Sequence, residues 1–168
     1  MIDRSLVRSV LAAASVAILP IALAGAGVLP AAAVHAAVSD FVADIVDPYL
    51  TIQTALVNDD LAPVAAAAKA LAQGASALGA DGKALSAAAG KAAAATTLEA
   101  ARTAFGDLST ALIAYADQSK QPIGGKIVAY CPMVKKSWVQ TDGTIANPYY
   151  GKAMATCGNQ TRKLAPTQ

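Results

Sequence analysis

The chain has 168 residues, 55% of them hydrophobic and only 14% charged, with a formal net charge of +2. That length implies one small domain and the near-neutral balance gives no general affinity for nucleic acid. One histidine in the whole chain, with no G-x-S-x-G elbow, P-loop or dinucleotide fingerprint, leaves hydrolase, kinase and dehydrogenase mechanisms without their usual parts, so no enzyme is expected.

The chain opens on MIDRSLVRSVLAAASVAILPIALAGAG, in which Arg4 and Arg8 precede an apolar run and small residues follow. This is the layout of a secretory signal peptide, residues 1–36, with cleavage after Ala33 or Ala36. Pro20 and Gly25 interrupt the run, which argues against a spanning helix, and nothing later approaches the length a span needs. The expected product is periplasmic or secreted, with no stable membrane insertion after cleavage and no nucleic-acid partner. Its charge is uneven: residues 37–119 hold four basic and nine acidic side chains, residues 120–168 seven basic and the single Asp142. That asymmetry reads as solvated surface or a face for an acidic partner.

Four helices follow in order. Phe41, Ile45, Tyr49, Ile52 and Leu56 keep one stripe, with a bend or a fresh start at Pro48, capped by Asp47. Leu61, Val64, Ala68, Leu71, Ala75 and Leu78 mark a second helix with Asp60 as its N-cap. The stretch KALSAAAGKAAAAT has one large apolar residue, Leu85, and predicts a short helix whose small side chains allow close approach. Leu98, Ala101, Phe105, Leu108, Leu112 and Tyr115 define the last, opened by a capping box of Thr96 and Glu99. The expected fold is all-α: a small antiparallel bundle of three long helices and one short, spanning residues 37–158 with its C-terminal motif. Within it Phe41, Tyr49, Phe105, Leu108, Leu112 and Tyr115 are core.

After Pro122, Gly124 and Gly125 the texture changes. KIVAY predicts an extended segment; Asn147 and Pro148 open a short helix over PYYGKAMATC that Gly158 closes; residues 159–168 are a flexible tail. Both cysteines and both non-initiator methionines fall in this part. Cys131 and Met133 would point to one side of an extended segment, and Met154 and Cys157 would share a helical face. Folded together, the four sulfurs form a soft ligand set suited to Cu(I) or Ag(I). The competing reading is a Cys131–Cys157 disulfide, worth roughly 3 to 4 kcal/mol by chain entropy, with the methionines as ordinary packing. Trp138, Tyr130, Tyr149 and Tyr150 pack the tail onto the bundle or shield the sulfurs. Lys135 and Lys136 read as a solvated turn.

The signature YCPM, Trp138, I-x-NPYYG and M-x-x-CG, preceded by YLTIQTALVNDDLAPVAAAAKALAQ and FGDLSTALIAYA, resembles a bacterial domain family of unknown function. Its members occur as small secreted proteins and as C-terminal extensions of the periplasmic adaptors of CusB-type copper/silver efflux pumps. The matching motif positions include Cys131, Met133, Trp138, Asn147, Tyr149, Gly151, Met154 and Cys157. The resemblance implies an association with heavy-metal efflux and raises a soft-metal role to parity with the disulfide. The expected function is therefore Cu(I) or Ag(I) binding or delivery, with an efflux adaptor or another copper protein as partner. A disulfide-stabilised, metal-free interaction module is the alternative.

Overall fold

The computed structural model describes residues 41–121 and 123–164. The signal peptide read over residues 1–36 lies outside the described residues. A π-helical segment, Val42–Val46, runs into α1, Asp47–Val57; then come α2, Val64–Ala77, α3, Lys83–Ala93, and α4, Leu98–Ser119. The remainder consists of β1, Lys126–Cys131, β2, Lys136–Thr141, a 3-10 turn, Gly151–Met154, and β3, Asn159–Lys163.

The helices bury the faces their periodicity marks. Phe41, Ile45, Tyr49, Ile52 and Leu56 are all buried, as are Val64, Ala68, Leu71 and Ala75 on α2 and Ala101, Phe105, Leu108 and Leu112 on α4. Tyr115 is half-buried and stacks on Phe41 at 5.4 Å between ring centroids. Pro48 falls in the first turn of α1, where its missing N–H costs least. The chain enters through a π turn in which the Asp47 N–H bonds to Val42 O, and no side-chain cap closes the junction. Asp60 caps one turn early, accepting from Ala62 N, and the α4 cap is Thr97, which accepts from Ala100 N at 3.1 Å. On α3, Leu85 is buried together with the small side chains of Ala88, Ala89 and Ala92, and a Cβ at Gly82 would strike the Ala75 carbonyl at the end of α2. Close approach of these elements is therefore built on what the residues lack.

The all-α expectation is corrected: four α-helices carry a three-stranded antiparallel sheet, order β2-β1-β3, and the fold is mixed α/β. β1 was legible because its β-branched and aromatic residues form a strand; its two partners hide for opposite reasons. In β2, Trp138, Val139 and Gln140 are buried in succession, so the alternation that announces a half-buried strand is missing. In β3, NQTRK is exposed along its whole length and has no apolar face to read. Its pairing with β1 comes from the backbone, with a bulge opposite Val128/Ala129 where the Thr161 hydroxyl donates to Val128 O at 3.0 Å. Residues 159–163 thus form a strand, and Leu164 after them is buried.

β2 is an edge strand, and two tyrosines occupy polar groups of its backbone. Val139 N donates to the Tyr49 hydroxyl at 3.0 Å, and the Tyr149 hydroxyl donates to Ser137 O at 2.7 Å. The Tyr49 hydroxyl also pairs with buried Ser109 Oγ at 2.6 Å. An α1 side chain therefore fixes the sheet against the helices. Burial holds both tyrosine hydroxyls far above their ordinary pKa, so they stay neutral throughout the working range of pH.

Candidate thiol and metal site

β1 ends at Cys131, and residues 132–135 turn the chain into β2 through Lys135, whose φ is +53°. The alternation that would put Met133 beside Cys131 therefore stops at the cysteine. On the other side, the expected three-turn helix is replaced by turns and the single 3-10 turn Gly151–Met154. Asn147 is the reason the loop still holds a fixed shape. Fully buried, it accepts from Tyr149 N at 2.8 Å and Tyr150 N at 3.3 Å through Oδ1, while Nδ2 donates to Cys157 O at 2.7 Å. Cys157 N in turn donates to Met154 O at 3.1 Å. Both backbone polar groups of Cys157 are thereby tied.

The result is contact between two cysteines 26 positions apart: Cys131 Sγ and Cys157 Sγ lie 3.5 Å from each other. Cys131 is fully buried and Cys157 half-buried. Burial opposes ionisation of Cys131, but the amides of Val134 and Met133, the Cys157 thiol and the Asn147 side chain all favour its thiolate and hold it below the ordinary cysteine value. Cys157 goes the other way, pushed up first by its hydrogen bond to Cys131 and then by burial. Of the two, Cys131 is therefore the thiol that gives up its proton first.

Of the four sulfur residues read from the sequence, the structure brings the two cysteines together and leaves both methionines in solvent, Met133 63% and Met154 41% exposed. Among the described residues no cluster of three or more His, Cys, Asp or Glu side chains is placed to hold an ion. Any metal here would rest on the two thiols, with thioethers drawn in from the surface. Trp138 is fully buried, its indole N–H donates to Gln140 Oε1 at 3.0 Å, and its ring meets Tyr149 edge-on at 5.8 Å. Through Tyr149, Phe105 and Tyr49, at 6.1 and 4.8 Å between successive centroids, an aromatic chain reaches α1. Gly158, with φ +136°, lets the backbone pass the indole, since a Cβ there would lie 2.8 Å from Trp138 Cη2.

Residues that sequence reasoning did not single out anchor this segment to the helices. Arg102 on α4 donates through Nε to Pro148 O at 3.1 Å and through Nη2 to Leu56 O at 3.2 Å and to Asp59 Oδ1. Asp59 also accepts from Lys152 N at 3.3 Å, and the Arg102 guanidinium holds its carboxyl below the usual carboxylate range. Gly151, φ +56°, packs where a Cβ would collide with this ion pair. Gln53 Nε2 donates to Ala146 O at 2.8 Å. An arginine on a helix gives no sign of its distant carbonyls, nor an aspartate in a loop of its distant arginine. Lys136 is no free turn residue either. Its stem lies across α4 at Gly106, and its ammonium sits 5.8 Å from the Tyr149 ring centroid.

The molecule is thus a helical body carrying a small sheet, with a two-cysteine site where the end of β1 meets the approach to β3. Residues 45–124 match the model of a protein family of unknown function, DUF3347. The match covers the helices and stops short of β1, so the two-cysteine segment lies beyond it. No curated protein and no solved structure matches the chain. No helix among the described residues is long and apolar enough to cross a membrane.

Proposed function

We propose that the protein binds a soft monovalent metal ion, Cu(I) or Ag(I), through Cys131 and Cys157, and serves as a periplasmic binding or delivery protein in heavy-metal efflux or homeostasis. The observation that carries this reading is the 3.5 Å approach of two cysteine sulfurs, with the ionisation of Cys131 favoured by its surroundings. Thiolate is the form that ligates, and soft sulfur donors select Cu(I). Met133 and Met154, exposed beside the pair in sequence, supply thioethers for capture or for a third ligand. The resemblance of the C-terminal signature to extensions of CusB-type adaptors supports an efflux adaptor or another copper protein as the recipient. The role is binding rather than catalysis.

The second reading is a metal-free interaction module closed by a Cys131–Cys157 disulfide, with the basic C-terminal part as its docking face. It is favoured by the same sulfur contact, joining residues whose neighbours Tyr130 and Asn159 are already paired between strands. Mass spectrometry under non-denaturing conditions, on the reduced chain with added Cu(I), separates the two. The expected result is a single-copper adduct that Cys131→Ser and Cys157→Ser abolish and that Met133→Ala/Met154→Ala weakens. A chain two hydrogen atoms lighter than its sequence mass, indifferent to copper even after reduction, overturns metal binding in favour of the disulfide.

A further inference from the structure

The two sulfurs of the pair are not equivalent to anything arriving from outside, and the difference is one of access. Cys131 is fully buried at the end of β1, beneath the turn that leads into β2. Cys157 is half-buried on the last turn before β3, between exposed Thr156 and half-buried Gly158. Attack on a sulfur requires an approach along its bonding axis, so a foreign thiol or disulfide meets Cys157 alone. Its backbone is held from both sides, by Met154 O and by Asn147 Nδ2, so its sulfur stays 3.5 Å from Cys131 rather than swinging free. We propose that Cys131 and Cys157 form a thiol–disulfide exchange site in which Cys157 reacts with an external cysteine disulfide and Cys131, held in contact behind it, resolves the product.

The steps balance without any metal. With a disulfide R–S–S–R as oxidant, Cys157 Sγ attacks one sulfur, forming an S157–S–R mixed disulfide. The Cys157 proton leaves to solvent and one RS⁻ departs. Cys131 Sγ, as thiolate, then attacks Sγ of Cys157, forming the internal disulfide and releasing the second RS⁻. Two thiols of this protein are oxidised and one external disulfide is reduced to two thiols. In the reverse direction an incoming thiolate reaches only Cys157 and displaces Cys131. Near-contact of the resolving sulfur turns the second step into an intramolecular one, so the mixed species is short-lived in the intact chain. The inference stands independently of metal binding: copper ligation could fail and exchange persist, or the reverse.

The test uses the full-length reduced protein with a metal chelator present, so that success or failure at copper is not what is read. A brief iodoacetamide pulse followed by peptide mapping is expected to modify Cys157 about tenfold or more faster than Cys131, a preference that denaturant erases. With glutathione disulfide, the intact chain is expected to go to the internal disulfide without accumulating adduct. Cys131→Ser is expected to accumulate a stable glutathione adduct, and Cys157→Ser to stay unmodified while folded. An oxidised C-x-x-C protein replaces glutathione disulfide in a second arm. Reaction with either oxidant supports the site, and the faster one shows whether small molecules or proteins are its natural source. Equal or inverted alkylation, no reaction with either oxidant, or an adduct that persists in the intact chain overturns the proposal. The alkylation order is read on the unaltered protein, so it holds even where a variant misfolds.

Discussion

At the scale of single residues the molecule separates chemistry from exposure. The inner cysteine is the more readily ionised and the outer one the more accessible, because the turn amides and Asn147 converge on Cys131 while Cys157 yields its hydrogen bond to it. This has a consequence for stability as a function of pH. Cys131 ionises in the folded chain below the ordinary cysteine value of about 8.5, so below that value the unfolded chain holds the extra proton and stability rises with pH. Above it the folded chain keeps the Cys157 proton that the unfolded chain has lost, and stability falls. The contribution of the reduced pair is therefore expected to peak near the ordinary cysteine value. Urea midpoints between neutral and alkaline pH, taken as the difference between the intact chain and Cys131→Ser/Cys157→Ser, measure it; a flat difference would show that the two thiols titrate independently of the fold. None of this polarity was legible in the sequence, where the cysteines could be placed on their elements but not ranked, since the ranking depends on turn amides and on Asn147 across the loop.

At the scale of elements, the helices announced themselves and the sheet only in part. A period of three and four survives in α1, α2 and α4 because one stripe of each meets a common core. β1 had the composition of a strand, whereas β2 is buried on both sides of its chain and β3 on neither, so each lacks the contrast that sequence patterns report. The short helix expected over PYYGKAMATC is an instance of a local signal overruled. Asn147 does cap its two following amides as an N-cap would, but its Nδ2 is engaged with Cys157 O, and the loop returns to the strands before more than a 3-10 turn forms. The join between helices and sheet rests on Tyr49, whose hydroxyl is the acceptor for the Val139 amide. Tyr49→Phe would leave that amide and Ser109 Oγ without this buried partner. It is expected to destabilise the fold by about 1–3 kcal/mol in denaturant titrations, with secondary structure preserved. A change within error would mean that water replaces the hydroxyl at both groups.

At the scale of the whole molecule, the family match ends at residue 124 while the physical unit does not. Tyr49, Gln53, Arg102 and Phe105, all inside the matched segment, make their distinguishing contacts with residues 138–149 beyond it. A chain ending at residue 124 is expected to keep helical far-ultraviolet circular dichroism but to lose its near-ultraviolet signal and to bind hydrophobic dyes, as a compact state without fixed packing does. Cooperative unfolding of that fragment, with native aromatic signals, would instead make the sheet an independent appendage. The boundary visible in sequence comparison thus reflects which residues the family model captures, not where folding stops. Trp138, the only tryptophan of the chain, lies edge-on to Tyr149 and against the backbone of Gly158, the residue that follows Cys157. The protein therefore carries a built-in optical reporter: ligation, oxidation or alkylation at the outer sulfur that shifts this backbone changes the emission of one indole, so the state of the site can be followed in real time without a label.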